Sequence, residues 1–401
     1  MALAACGVGD SDLPEPGSQP QGDALALQPS ELGESSEEVP VDESASEARV
    51  GPPENVPPLD VTRTDVPLDA VVFDTFDGGF TPLSEASSDL IEQLRDAIRP
   101  IYDPVYGRHD ALPWLEADDL VLGYQAGGQA FAFPFNVLNL RELVNDTIDG
   151  IPVLISYCPL CGSAVVCDRR LGDRTLRFGN TSALYESDLV MYDHSTGSYW
   201  FQVAGRAIVG ALSGSELEVR PSVVATWAEW SALHPEGLLL SGDGNESFAD
   251  RRYARDPFEA YPQAVDAGRF PFPVSDAVFD ERLRASEVVG FGGGRWQAEG
   301  LPVGLLDAAV NDNVGDVPVL VFPSSGATLV AAYDRRVDGL ELTFDAFGTE
   351  FVDRETGSTW DRGGRAVSGM QVGAQLDALP LRRAFWFAVV ATAPGVELFS
   401  P

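Results

Sequence analysis

The stretch Val144-Asn145-Asp146, followed by Ile151-Pro152-Val153-Leu154 and then Asp168-Arg169-Arg170, is written twice in this chain. It returns as Val310-Asn311-Asp312, Val317-Pro318-Val319-Leu320 and Asp334-Arg335-Arg336, each time 166 residues later. Further on, Asp193, Thr196-Gly197-Ser198 and Trp200 return as Asp353, Thr356-Gly357-Ser358 and Trp360, at an offset of 160. Gly205-Arg206-Ala207, Leu217, Pro221 and Trp227 return as Gly364-Arg365-Ala366, Leu376, Pro380 and Trp386, at 159. Identities that keep their order and spacing over so long a span indicate a tandem duplication of one unit.

Within the unit, β patterns dominate. Val121–Tyr124 and Gln129–Phe133 flank Gly127-Gly128, a hairpin signal. Ile151–Tyr157 and Ser163–Asp168 are apolar, β-branched runs about a tight turn, and Thr175–Phe178 follows a Gly-Asp turn. Leu189–Tyr192 and Tyr199–Val203 flank His194-Ser195-Thr196-Gly197, a second hairpin. The spacing predicts helices at Leu138–Val144 and Thr226–Leu233, the latter ended by His234-Pro235. The expected class is α+β with mainly antiparallel sheet: a first repeat over residues 68–241, a connector over 242–284 and a second repeat over 285–401.

The chain as a whole is acidic. It has 62 Asp and Glu against 26 basic residues, all of them Arg, for a net charge of −36 over 401 residues. Phosphate backbones would be repelled, so no nucleic-acid partner is expected. Residues 8–67 hold 14 acidic side chains against Arg49 and Arg63, with much Pro, Gly and Ser. Such a segment buries too little apolar surface to offset its ordering entropy, and residues 1–67 are expected to be a disordered tether. At its head, Leu3-Ala4-Ala5-Cys6-Gly7 has the form of a bacterial lipobox. The expectation is lipidation at Cys6, a membrane anchor and an extracytoplasmic location. No run of 18 apolar residues is present to span a bilayer.

A duplicated unit contains its own control, because features kept in both copies are expected to be scaffold. Tyr157-Cys158-Pro159-Leu160-Cys161-Gly162 becomes Pro323-Ser324-Ser325-Gly326-Ala327-Thr328, so both cysteines are lost. Between Phe178 and Asp193 lie 14 residues, against 8 between Phe344 and Asp353, and Met191 and His194 become Phe351 and Arg354. The first copy therefore has a cysteine turn, a longer loop, and a Met and a His on the next hairpin.

Two cysteines three apart in a tight turn aim their sulfurs to one side, the geometry of a metal knuckle and also of a redox dithiol. The strand pattern after Gly162 counts against a thioredoxin-like helix. Two sulfurs with Met191 make a soft donor set that favours copper, with zinc second, and His194 could join or replace Met191. A structural disulfide is the competing reading, in a non-catalytic surface module whose loop residues Tyr185 and Asp188 contact a ligand. Cys167 lies roughly 20 Å along the strand from the turn and is read as core. With His109, His194 and His234 as the only histidines, a multi-histidine metal site is not expected.

Glu142-Leu143-Val144-Asn145-Asp146, Tyr157–Ala164, Ser187–Asp193, Thr196-Gly197-Ser198-x-Trp200, Tyr253–Phe258 and Phe385-Trp386-Phe387 together resemble the bacterial and archaeal family called domain of unknown function 3179. The resemblance covers roughly Ala70 to Pro401 and implies an exported or lipid-anchored protein, without supplying an activity. The functional expectation is a thiol-based site at Cys158 and Cys161 that binds a soft metal or cycles as a dithiol.

Overall fold

The computed structural model describes residues 55–292, 299–303, 309–314, 316–323, 330–347 and 350–399. Cys6 and the tether up to residue 54 lie outside the described residues, as do Ser324–Thr328. The described chain is mostly β, in several antiparallel sheets, with a few short helices. Among the described residues two strand pairings are parallel, Leu238-Leu239 beside Phe131-Ala132 and Glu299-Gly300 beside Glu397-Leu398.

The three strands Leu143–Ile148, Ile151–Cys158 and Ser163–Asp168 form a meander in which Val144 faces Ile155 and Leu154 faces Cys167. Residues at the 166 offset pair in the same register, Val310 with Val321 and Leu320 with Tyr333. Side chains that recur at these offsets make the same bonds in both halves. Asn145 Nδ2 donates to Phe178 O at 2.9 Å while Phe178 N–H donates to Asn145 Oδ1 at 2.8 Å. Asn311 and Phe344 exchange the same two bonds. Trp200 Nε1 donates to Asp193 Oδ2, as Trp360 Nε1 does to Asp353 Oδ2. Each pair fills a buried polar requirement that an apolar core would leave open.

Two local expectations shift. The helix placed at Leu138–Val144 runs from Phe135 to Arg141, after N-cap Pro134. It stops because Glu142 takes φ +58° and the β-branched residues that follow enter the strand Leu143–Ile148. Residues 55–67 are part of the folded body and not of the tether. Asp65 N–H donates to Ile208 O at 2.9 Å, Gly210 N–H donates to Arg63 O, and Arg206 pairs with Asp65 at 2.7 Å. Their acidic, Pro-rich composition hid a run of main-chain bonds along the strand Arg206–Val209.

The two halves share a sheet. The strand Arg382–Phe385 joins Ser163–Asp168 through Arg383 and Ala164, producing one seven-stranded sheet from residues of both halves. The largest core cluster accordingly mixes Cys158, Cys161, Leu189 and Trp200 with Phe291, Phe385, Trp386 and Val389. Helix Trp227–Leu233 begins with a full capping box, in which Thr226 and Glu229 bond each other's backbone N–H. His234 ends it through its backbone N–H to Trp230 O, as Ala393 ends Trp386–Thr392 through Val389 O. The capping is thus done by the main chain at both places. Cys167 is buried in the core, as read from its strand position.

Candidate functional site

Cys158 closes the strand Ile151–Cys158, and Ser163 opens the next. Between them the chain turns tightly, with Cys161 N–H donating to Cys158 O at 3.3 Å. Gly162 has φ +56°, and a Cβ there would lie 2.8 Å from the Phe385 ring. No L-residue meets both conditions cheaply. The far half of the chain fastens the turn, with Phe385 N–H donating to Cys161 O at 2.7 Å and Arg383 Nη1 to Gly162 O at 3.1 Å. Both cysteines are free thiols and both are fully buried.

A carboxylate stands with them. The sulfurs of Cys158 and Cys161 and a carboxylate oxygen of Asp188 all lie within 4.8 Å of one another. Asp188 is completely buried and accepts from Val203 N–H at 2.9 Å. Behind it, Ser163 Oγ donates to Gln202 Oε1 at 2.7 Å, and Gln202 Nε2 donates to Ser156 Oγ at 2.8 Å. This network fixes the carboxylate's surroundings. Burial pushes the Asp188 carboxyl up to about 6, although the Val203 N–H and the two thiols pull it down. Burial likewise raises both thiols, with the charge of Asp188 adding to each. Three acidic groups thus share a dry space, where burial disfavours every charged form and an ionised Asp188 makes the thiols harder to ionise.

Cys158 also lines a cavity of about 150 Å³. Its walls are largely apolar, among them Phe76, Leu160, Leu184 and Leu189, with Phe258 and Phe272 contributed by the connector. The polar groups on it include Asp74, Asn139, Glu142 and Asn180. Asn180 Nδ2 donates to Glu142 Oε2, and burial raises the Glu142 carboxyl to about 8, with Asp188 and Asp74 contributing. Among the described residues eight non-glycines have positive φ, and three of them, Phe76, Glu142 and Ser182, line this cavity. A fourth, Ser187, offers its carbonyl to the Cys161 thiol at 3.3 Å. Backbone strain gathered in this way is a mark of functional sites.

The longer loop of the first half builds this region. Asn180 faces Met191 and Ala183 faces Val190, so Thr181 and Ser182 form a two-residue bulge. Beyond it the longer hairpin pairs Ala183–Tyr185 with Val71–Phe73. In the second half, the strand Phe344–Phe347 pairs with Glu350–Asp353 without a register shift.

The other sequence candidates sit around this cluster. Met191 is buried in the same core, opposite Asn180 and Trp200, and is not among the cavity's lining residues. His194 is not part of the thiol–carboxylate group. Its Nε2 lies 3.1 Å from Tyr102 Oη and its ring stacks on Tyr192. Tyr102 and Tyr192 both reach Asp96 Oδ2, and Asn180 N–H donates to Asp96 Oδ1, so His194 ends a polar chain leading to Glu142. Tyr185 packs its ring against Phe201 and does not line the cavity.

Asp74, Asn139, Glu142 and Asn180 were not among the sequence candidates. The signal was present for three of them, because at the 166 offset Asn139, Glu142 and Asn180 become Leu305, Ala308 and Ala346. Polarity that appears in one half only marks these positions just as it marks the cysteines.

The fold and the site define a β-rich protein with a buried cysteine–carboxylate cluster beside a cavity. The chain belongs to the protein family of unknown function DUF3179, whose sequence profile matches residues 95–395, a span that takes in the cysteine turn, Asp188, the connector and most of the second half. No curated protein and no solved structure matches the chain. No helix among the described residues is long and apolar enough to cross a membrane.

Proposed function

We propose that this protein binds one thiophilic metal ion through Cys158 Sγ, Cys161 Sγ and an Asp188 carboxylate oxygen. The observation that supports the reading is the convergence of those three buried donors within 4.8 Å. A tetrahedral ion with metal–sulfur bonds of about 2.3 Å needs donors about 3.5–3.8 Å apart, a small adjustment from this arrangement. Deprotonating two thiols and a carboxyl in a dry pocket is unfavourable unless a cation replaces the protons. The mixed sulfur–oxygen set moves the preferred ion from copper, which two sulfurs and Met191 would favour, towards zinc. Three protein donors leave a fourth position for water or a ligand.

The redox-dithiol reading is the weaker one, since reactive cysteines are exposed and held as thiolates, whereas burial here favours the thiol forms. Metal analysis of anaerobically purified protein tests the proposal. The wild type is expected to carry about one equivalent, with Cys158→Ser/Cys161→Ser empty and Asp188→Asn depleted about tenfold or more. Equal metal in the wild type and the double variant would sink it.

We also propose that the protein is extracytoplasmic and anchored by a lipid on Cys6, on the strength of the Leu3–Gly7 sequence. Labelled fatty acid should enter the full-length protein made in its own cells and not Cys6→Ser. Equal labelling of both would remove the anchor.

A further inference from the structure

We propose that the cavity beside Cys158 binds a small organic ammonium ion with an apolar body. The inference goes beyond the metal reading and does not rest on it, because it is drawn from the cavity's walls and not from the thiols.

Size comes first. A space of about 150 Å³ is on the scale of an engineered apolar cavity that admits benzene, so the ligand has about six heavy atoms or a few more. The apolar walls call for a hydrocarbon body, and Phe76, Phe258 and Phe272 offer aromatic surface that a cation tolerates.

The polar groups then select the head. Asn139 Nδ2 donates to Asp256 Oδ1 at 3.1 Å, which fixes the orientation of the amide. Its Oδ1 is left buried without a hydrogen-bond partner, on a side chain 7% exposed that lines the cavity. Glu142 accepts one bond, from Asn180 Nδ2, and Asp74 accepts one from Phe76 N–H at 2.7 Å. Among the described residues no Arg or His lines the cavity, and the chain has no Lys. Burial disfavours ionisation of both carboxyl groups for want of a counter-charge, so what the lining lacks is donors and positive charge together. An ammonium group supplies three N–H donors and one charge, whereas an alcohol supplies one donor and a carboxylate none.

Calorimetric titration of the full chain with cyclopentylamine and with cyclopentanol tests this, since the two differ only in the head. The amine is expected to bind at least about tenfold more tightly, the difference a charge-assisted hydrogen bond makes. The preference should survive a strong metal chelator and should collapse in Glu142→Gln. The wild-type comparison stands alone if that variant fails to fold. Equal binding of the two compounds, or binding of neither, overturns the proposal. Amine binding that vanishes with the chelator also overturns it, because the amine would then be a metal ligand. The chelator arm separates this inference from the metal site, whose failure would leave the amine preference in place.

Discussion

His194 holds a neutral imidazole against Tyr102 and Tyr192. Burial lowers it to about 3, with Arg177, Arg95 and Arg169 adding to the effect. In the unfolded chain a histidine titrates near 6.5. Between those values the unfolded state binds a proton that the native state refuses, so this contribution to stability is whole above about 6.5 and is lost as pH falls. Wild type should therefore lose about 2 kcal/mol more than His194→Gln between pH 7 and pH 5. Urea unfolding at the two pH values checks it, and parallel losses would contradict it. At this scale the sequence was partly legible. Comparing the copies singled out Cys158 and Cys161, and loop residue Asp188, which the structure brings together. The polar partners Glu142 and Asn180 lie 38 positions apart. Nothing in the local pattern announces a bond between a helix end and a bulge, and only the fold joins them.

At the scale of elements, the cysteine turn is the critical piece. Gly162→Ala would place a methyl group on a backbone of φ +56° and against Phe385. The cost should be about 2 kcal/mol or more, and an unchanged urea midpoint would show that the turn relaxes freely. Strands were the most readable elements, because β-branched runs bounded by Gly turns survive translation into structure with little change. The hairpin at Gly127-Gly128 and the strand pair Ile151–Cys158 and Ser163–Asp168 both stand where the sequence puts them. The helix after Pro134 was misplaced because its end depends on the positive φ of Glu142, which side-chain type does not encode. The bulge at Thr181-Ser182 was visible only as a length difference between copies. Sequence located the insertion but not its shape.

At the scale of the molecule, sharing one sheet ties the site to a strand near the end of the chain. A chain ending at Pro380 would lose the strand Arg382–Phe385, with its main-chain bond to Cys161 O and the Arg383 bond to Gly162 O. It would also lose the fully buried Trp386. Removing buried aromatics costs about 3–5 kcal/mol each, a large part of the stability of a whole domain. The thiols of such a chain are therefore expected to react with iodoacetamide in native buffer, while those of the full chain resist. Equal protection would show that the first half closes the site unaided. Neither composition nor periodicity could show this joint, because sheet-edge pairing is a choice between chemically similar strands.

The fastening of Gly162 by Arg383, 221 positions further on, also sets a schedule for biosynthesis. While the ribosome still covers the C-terminal strand, the cysteine turn has emerged without its clasp, and its sulfurs face whatever surrounds the nascent chain. Until Arg383 and Phe385 clear the exit tunnel, the turn lacks the two bonds they supply to Gly162 O and Cys161 O.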